Sequence, residues 1–241
     1  MRAVWPVYKT GSFFAPEKTP IMADVHTAKA VQPPRKRCIV YVDGFNLYYG
    51  ALRGGPHKWL NLEKYFRYLL PNDDIQKIRY FTAEVVGPAA ARQRAYLAAL
   101  DTLPLVEVIL GRFKAKQVRG LCPSCPLPNP QFFSTFEEKR TDVNIALWMF
   151  HDALKNLCDR LVLVSGDSDL VPAVAMTKGH CPEKEIVVYV PAKDMVRGAA
   201  VELRGIADKH KLLPLQMLKA AQFPSQVTTS AGAIIKKPPS W

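Results

Sequence analysis

The chain has 241 residues, of which 49% are hydrophobic, and it carries a formal net charge of +12. This length accommodates one domain with flanking segments, and no apolar run approaches the roughly 20 residues of a membrane-spanning helix. The N-terminal region lacks the continuous apolar segment of a secretion signal, so we expect a cytoplasmic protein without membrane contact. A basic chain with basic ends favours polyanionic partners, nucleic acid first.

Predicted strands and helices alternate after an irregular, proline-punctuated basic arm over residues 1–36. Strands are predicted over residues 38–43, 75–85, 105–110, 161–165, 185–190 and 211–215. Helices are predicted over residues 46–53, 60–70, 88–103, 142–157, 170–178 and 198–207. This alternation indicates an α/β fold, a three-layer α/β/α sandwich with a mainly parallel central sheet and disordered termini.

One domain is predicted over residues 37–218, followed by a flexible tail over residues 219–241. Within the domain, residues 114–136 lose all periodicity and are predicted to form a long loop insertion. Unstructured insertions of this length are uncommon in compact domains and are usually functional.

Acidic residues follow two of the apolar strands. CIVYVD ends at Asp43, and LVLVS is followed by a glycine turn that contains Asp167 and Asp169. The carboxyl ends of parallel strands meet at one edge of a sheet, where ligands bind. Asp142 opens a helix, where the helix dipole favours its charge by roughly 0.3–1 kcal/mol. We predict that these four carboxylates form one site, and an oxygen-only donor set suits Mg²⁺ or Mn²⁺.

Each of these polar residues also has a purely structural interpretation. SGDSD is good turn and N-cap chemistry, and Asp142 would serve as a helix-dipole acid beside Thr141 as the cap. Asn46 would cap its own short helix. The structural interpretation of the acids weakens when the three acidic regions are considered together.

Three separated motifs carry a resemblance to a known family: YVDGFNLYYG (Tyr41–Gly50), EEKRTDVNIA (Glu137–Ala146) and LVSGDSDLVP (Leu163–Pro172). In this order they resemble the NYN domain, the LabA-like branch of the PIN-like nuclease superfamily. The resemblance implies a PIN-like fold over residues 37–218 and metal-dependent cleavage of RNA.

By position, the resemblance assigns the acidic, catalytic metal site to Asp43, Asp142, Asp167 and Asp169. Asn46 would orient Asp43 or bind metal-bound water, and Ser165 and Thr141 would donate hydrogen bonds to the ligands. The implied reaction is hydrolysis of a phosphodiester at one or two Mg²⁺ ions, leaving a 5′-phosphate and a 3′-hydroxyl.

Basic residues near these motifs are candidates for contact with the predicted partner, single-stranded RNA. The candidates are Lys139 and Arg140 beside the helix, and Lys114, Lys116 and Arg119 in the loop, with Phe132 and Phe133 to stack bases. The alternatives are that the charges form a solvated face and that the phenylalanines pack the loop onto the core. The sequence leaves open whether copies of the chain associate into a homo-oligomer.

Cys122-Pro-Ser-Cys125 is half of a zinc site. A second cysteine pair is absent, and His180 with Cys181 is the remaining source of two more ligands. We therefore favour two free thiols in the loop over a structural Zn²⁺.

Two other functional classes compete with a ribonuclease. One is a non-catalytic RNA-binding or regulatory module that retains a metal or nucleotide pocket. The other is a haloacid-dehalogenase-like phosphatase, which needs a second Asp two residues after the first. This chain has Phe45 at that position, which argues against the phosphatase.

Overall fold

Strands and helices alternate along the chain in the computed structural model, which describes residues 34–120, 131–192, 201–239 and 241. The strands are β1 (Lys36–Asp43), β2 (Asp73–Thr82), β3 (Val106–Leu110), β4 (Arg112–Gly120), β5 (Gln131–Lys139), β6 (Arg160–Val164), β7 (Glu185–Val190), β8 (Lys209–Leu212), β9 (Gln226–Thr228) and β10 (Ile234–Lys236). The α-helices are α1 (Gly44–Leu47), α2 (Leu62–Leu69), α3 (Ala90–Leu100), α4 (Thr141–Leu154), α5 (Val171–His180) and α6 (Val201–Ile206). A π-helical turn spans Tyr48–Leu52, and 3₁₀ turns span Ser168–Leu170 and Leu215–Met217. None of the helices in these described ranges is long and apolar enough to cross a membrane.

The central sheet contains six parallel strands in the order β3-β2-β1-β6-β7-β8. Strand β1 is central, with Asp43 beside Phe81 of β2 and Val42 beside Val164 of β6. The chain builds outward from β1 through β2 and β3, and then continues on the other side of β1 with β6. The carboxyl ends of β1 and β6 therefore meet at a topological switch point, where open parallel sheets bind ligands.

Helices cover both faces of this sheet. Val40 and Val42 of β1 belong to a core that includes residues of α2 and α3. Ile39 and Tyr41 belong to a second core that includes residues of α4, α5 and α6. Successive side chains of a strand point to opposite faces, so a strand covered on both faces is continuously apolar. The prediction of an α/β fold with a parallel central sheet between helical layers is confirmed.

A β-hairpin replaces the predicted loop at residues 114–136. Strands β4 and β5 pair antiparallel from Arg112 and Lys139 to Gly120 and Gln131, and residues 121–130 between them lie outside the described residues. Most side chains of both strands are exposed, and neither strand has a continuous apolar face. The alternation that marks a half-buried strand is therefore weak in this segment.

The C-terminal segment also differs from the sequence-based expectation of a flexible tail over residues 219–241. Phe223 and Val227 are buried, and β9 pairs with β10. The indole Nε1 of Trp59 donates a hydrogen bond to the Pro224 carbonyl at 2.7 Å. The prolines of residues 219–241 therefore belong to an irregular segment that packs on the domain. The predicted N-terminal arm lies outside the described residues up to residue 33.

A buried ion pair fastens α4 to the sheet. Asp152 of α4 is fully buried and accepts hydrogen bonds from Arg79 Nε at 2.9 Å and from the Tyr41 hydroxyl at 2.9 Å. The Arg79 guanidinium also lies 3.8 Å from the ring centroid of Trp148. Buried charges are tolerated when paired and hydrogen-bonded. The pair therefore helps to position the helix whose first turn carries Asp142.

Candidate active site

Asp43 lies at the carboxyl end of β1 and is only 2% exposed. Its carboxylate accepts hydrogen bonds from the Asn46 backbone amide at 2.9 Å, from Asn46 Nδ2 at 2.6 Å and from Ser165 Oγ at 3.0 Å. Burial raises the pKa of Asp43, the hydrogen bonds oppose that effect, and the nearby charge of Asp167 adds to it. The donors hold this carboxylate in one orientation.

Asn46 and Ser165 connect the ends of the two central strands. Asn46 Oδ1 accepts a hydrogen bond from the Gly166 amide at 3.2 Å, and Ser165 Oγ accepts one from the Asp167 amide at 3.1 Å. Each of the two side chains therefore contacts Asp43 and also the turn after β6. Both side chains donate hydrogen bonds to Asp43, and their predicted roles around a metal stay predictions.

The two acids of the SGDSD turn occupy different positions. Asp167 Oδ1 accepts a hydrogen bond from the Asp169 amide at 3.0 Å, so Asp167 caps the following 3₁₀ turn. Asp167 also lines a cleft together with Asp43 and Asp142. Asp169 is exposed and does not line that cleft. The capping and site interpretations of Asp167 are thus compatible, and Asp169 lies at the margin of the site.

Asp142 approaches the cleft from the first turn of α4. Burial is the largest cause that raises its pKa to about 6, followed by the charges of Asp43, Asp167, Glu138 and Asp169. Opposed negative charges disfavour ionisation. The shared cleft thus brings acids of all three motifs close enough to repel one another.

Glu138 is an acid of this site that the sequence reasoning missed. It lies on β5, lines the cleft, and accepts hydrogen bonds from the Thr141 amide at 3.1 Å and from the Thr141 hydroxyl. Glu138 belongs to the EEKRTD segment of the second motif, so its place in that motif was the available signal.

The junction between β5 and α4 is tight. Arg140 has a φ of 82° and occupies the N-cap position without a side-chain cap. Thr141, predicted as the cap, is instead the first helical residue and is buried. Gly111 passes beside it, and a Cβ at that glycine would lie 2.7 Å from Thr141 Oγ1. Glycine is therefore required where the chain enters β4.

The acidic cleft has a volume of about 280 Å³. It is lined by Asp43, Phe45, Asn46, Tyr49, Phe113, Phe136, Glu138, Thr141, Asp142 and Asp167. Carboxylates and aromatic rings dominate this lining, and none of the lining residues is basic.

The donors of the acidic cleft fit a hard divalent cation. Carboxylate oxygens are the ligands that Mg²⁺ and Mn²⁺ prefer, and a dication offsets the mutual repulsion that raises the pKa of Asp142. As the described side chains stand, no three His, Cys, Asp or Glu residues are close enough together to hold an ion. Mg²⁺ is commonly bound by one or two carboxylates and completes its coordination with water and substrate phosphates.

The hairpin register divides the predicted RNA-binding residues between two faces. Partner residues share a face, and the side alternates along each strand. The cleft face carries Phe113, Phe136 and Glu138, which line the acidic cleft, and farther along Arg119 and Phe132. The outer face carries Arg112, Lys114, Lys116, Phe133, Glu137 and Lys139.

Lysines of the outer face are partly neutralised. Glu137 pairs with Lys139 at 2.8 Å and with Lys116 at 3.4 Å, and all three side chains are largely exposed. Surface pairs of this kind contribute little to stability. The contact of Lys114, Lys116, Lys139, Arg119 and Arg140 with RNA stays a prediction.

The prediction on Cys122 and Cys125 falls outside the described residues. Their proposed companions are described. Cys181 is buried in the core, and His180 Nδ1 lies 3.0 Å from the Met176 carbonyl oxygen. Both environments have ordinary structural explanations.

A parallel sheet between helical layers fits the PIN-like fold that the three sequence motifs resemble. The NYN domain family matches residues 37–212, and the chain belongs to that family. The NYN domain places the chain in the PIN-like nuclease superfamily, whose members typically use divalent metal ions and act on nucleic acid.

Proteins similar to this chain include a bacterial enzyme and a protein of known structure. The 6-hydroxy-3-succinoylpyridine 3-monooxygenase HspA of Pseudomonas putida (strain DSM 28022 / S16) is 31% identical over 242 residues, covering 87% of this chain and 76% of HspA. A crystal structure of VPA0982, a protein of unknown function from Vibrio parahaemolyticus RIMD 2210633, matches with a TM-score of 0.50 at 19% identity. That match covers 75% of this chain and 94% of VPA0982, and it supports the fold alone.

Proposed function

We propose that this protein is a Mg²⁺- or Mn²⁺-dependent ribonuclease that hydrolyses RNA phosphodiester bonds in the acidic cleft. One observation carries the proposal. Four acids from three separated motifs line one cleft at the switch point of the parallel sheet: Asp43, Glu138, Asp142 and Asp167. Four acids in one cleft repel one another, and a dication that also binds a phosphate offsets the repulsion.

The residues of the cleft have distinct proposed roles. Asp43, Asp142 and Asp167 would hold the cation together with bound water, and the cation would supply a Lewis acid for the phosphate and lower the pKa of a water nucleophile. Asn46 and Ser165 keep the Asp43 carboxylate oriented through their hydrogen bonds. Glu138, fixed by Thr141, adds a further carboxylate from the hairpin side. Asp169 stays at the margin as an electrostatic neighbour.

The cleft face of the hairpin supports a single-stranded substrate. Phe136 is 51% exposed and Phe132 is 69% exposed, and both lie on the face that continues from the cleft. Exposed aromatic rings beside basic side chains bind unpaired bases by stacking, with little dependence on sequence. The net charge of +12 would attract the RNA backbone.

The test is cleavage of an end-labelled single-stranded RNA by the full chain with Mg²⁺, Mn²⁺ or EDTA. We expect cleavage that requires the metal and disappears in Asp167→Asn. Asp101→Asn is the matched control because Asp101 is exposed and follows the last turn of α3. Cleavage that persists equally in Asp167→Asn would contradict the proposal. RNA binding without cleavage in any metal would favour the non-catalytic binding module.

Monooxygenation is a second candidate, favoured by the 31% identity to HspA. That reaction consumes O₂ and two electrons from a reductant, whereas phosphodiester hydrolysis consumes only water. Oxygen uptake that depends on 6-hydroxy-3-succinoylpyridine and a reduced cofactor, and that is unaffected in Asp167→Asn, would favour this candidate over the nuclease.

A further inference from the structure

A second cavity, of about 200 Å³, shares Phe45 and Tyr49 with the acidic cleft. We call it the aromatic pocket. It is lined by Gly44, Phe45, Tyr48, Tyr49, Leu52, Lys58, Tyr80, Thr82, Val85, Ala89, Arg92, Gln93, Tyr96 and Trp241. These residues come from α1, the π-helical turn, the segment before α2, the end of β2 and the loop after it, α3 and the C-terminal segment.

Internal contacts fix the walls of the aromatic pocket. The Tyr96 hydroxyl donates a hydrogen bond to the Leu60 carbonyl at 2.9 Å. Gln93 Oε1 accepts one from the Val85 amide at 2.8 Å. The Tyr96 ring centroid lies 5.5 Å from that of Trp241. These polar groups are satisfied within the protein, so the pocket presents mainly aromatic faces.

The charge of the aromatic pocket is opposite to that of the cleft. Lys58 and Arg92 carry its charged side chains, and none of the lining side chains is acidic. Among the ion pairs of the described residues, neither Lys58 nor Arg92 takes part. Two half-buried cations beside aromatic faces are complementary to a ligand that is both flat and negatively charged.

We propose that the aromatic pocket binds a flat aromatic ring that carries an anionic group. The ring would stack on the tyrosine and tryptophan faces, and the anion would pair with Arg92 and Lys58. A neutral ring would leave both cations partly desolvated and unpaired, and a bare phosphate would leave the aromatic walls in water. A neutral ring or a bare phosphate therefore matches only one of the two features of the pocket, its aromatic walls or its cations.

The size and position of the pocket narrow this ligand. About 200 Å³ is below the roughly 300 Å³ at which ligand pockets usually begin, so a one- or two-ring system fits better than a dinucleotide cofactor. The wall shared with the acidic cleft favours a nucleotide, and in that case the inference rests on the proposed ribonuclease. A small aromatic carboxylate is the other source of the same chemistry.

Binding to the metal-free full chain tests this proposal. Isothermal titration calorimetry with UMP, AMP and nicotinate should show saturable binding, with uridine and inorganic phosphate each weaker by about tenfold or more. The fluorescence of Trp241 should change on binding, because its ring lines the pocket. Tighter binding of UMP or AMP assigns the pocket to nucleotides, and tighter binding of nicotinate assigns it to small carboxylates.

Two arginines on one helix provide a matched pair of variants. Arg92→Gln should weaken binding of the preferred anion by about tenfold or more, because a charge-assisted contact is lost. Arg94→Gln should leave it unchanged, because Arg94 is exposed and does not line the pocket. Lys58→Gln replaces Arg92→Gln if the latter lowers the melting temperature.

The outcomes separate this inference from the nuclease. Asp167→Asn should abolish cleavage and leave ring binding intact, and the binding measurement needs neither metal nor RNA. Inorganic phosphate that binds as tightly as UMP and nicotinate would overturn the proposal. Equal losses in the Arg92 and Arg94 variants, or no saturable binding of any of the three anions, would also overturn it.

Discussion

The acidic cleft and the aromatic pocket share two side chains, Phe45 and Tyr49, yet their charged residues are opposite in sign. The acids of the cleft come from strand ends, from β5 and from the first turn of α4. The cations of the pocket come from α3 and from the segment before α2. The ends of the central strands thus contribute acids to the cleft, whereas the segments that cover the sheet supply the cations of the pocket.

The largest expected effect separates the two cavities by function. Asp167→Asn should lower metal-dependent RNA cleavage by about a thousandfold, because a metal-bound transition state is stabilised by several kcal/mol. Ring binding in the aromatic pocket should not change. Single-turnover cleavage rates and calorimetry on the same preparation check both halves. Parallel loss of cleavage and ring binding would show that the two cavities are one site.

The buried ion pair between α4 and the sheet supports the acidic cleft and not the aromatic pocket, because residues of α4 line the cleft alone. Asp152→Ala should destabilise the protein by about 3–5 kcal/mol, because buried Arg79 would keep only the partly exposed Glu107 as an ion-pair partner and the buried Tyr41 hydroxyl would lose its acceptor. Asp159→Ala removes an exposed pair with Arg37 and should cost about 0–1 kcal/mol. Urea unfolding measures both. A loss below 1 kcal/mol for Asp152→Ala would mean that this pair does not hold the helix.

The hairpin gives a smaller effect that is specific to the cleft. Phe136→Ala should weaken binding of single-stranded RNA by about tenfold, within the roughly 1–3 kcal/mol expected for one stacked base. Phe133→Ala, on the outer face, should change it little, although Phe133 is 44% exposed and Phe136 is 51% exposed. Fluorescence anisotropy in the Asp167→Asn background, at one salt concentration, measures this. Equal losses would place RNA on both faces.

The smallest effect concerns protons. Burial and neighbouring charges raise the pKa of Asp142 from 3.8 to about 6 in the folded protein. The folded state therefore binds this proton more tightly than the unfolded state, and stability increases as the pH falls through 6 toward 4. In EDTA, the melting temperature of the wild type should gain a few degrees relative to Asp142→Asn between pH 8 and pH 5.

The matched variant for this pH effect comes from the aromatic pocket. Arg92→Gln should keep the wild-type pH dependence, because no acidic side chain lines that pocket. Mg²⁺ should raise the melting temperature more at pH 8 than at pH 5, since protons and the cation compete for the same carboxylates. A pH dependence that is identical in Asp142→Asn would assign it to another group.

The sequence predicted the parallel sheet and the two strand-end acids because uninterrupted apolar strands and a glycine turn are local signals. The link between Asn46 and Asp43 could also be predicted, since the two residues are three positions apart, and Asn46 does donate a hydrogen bond to Asp43. Glu138 was missed because its role depends on the hairpin, whose strands have no buried apolar face.

The aromatic pocket could not be predicted from the sequence, for a different reason. The lining residues are far apart in the sequence, since Tyr48 and Trp241 are almost 200 residues from each other. Seen singly, a residue such as Tyr80 or Arg92 is interpreted as a core or surface residue. Trp241 was assigned to a flexible tail, because prolines obscured the packing of Phe223 against Trp59. Tertiary packing alone brings these side chains together.

Glu138 is carried by the hairpin and not by the sheet, so the charge of the cleft has two independent supports. A strand of RNA that lies along Phe132 and Phe136 would hold β5 against the cleft and keep the Glu138 carboxylate in place. An oligonucleotide too short to reach Phe132 would leave the outer part of the hairpin without this contact, and Glu138 would be held less firmly. Cleavage would then depend on the length of the RNA, and turnover would increase with each added nucleotide until RNA covers the whole hairpin.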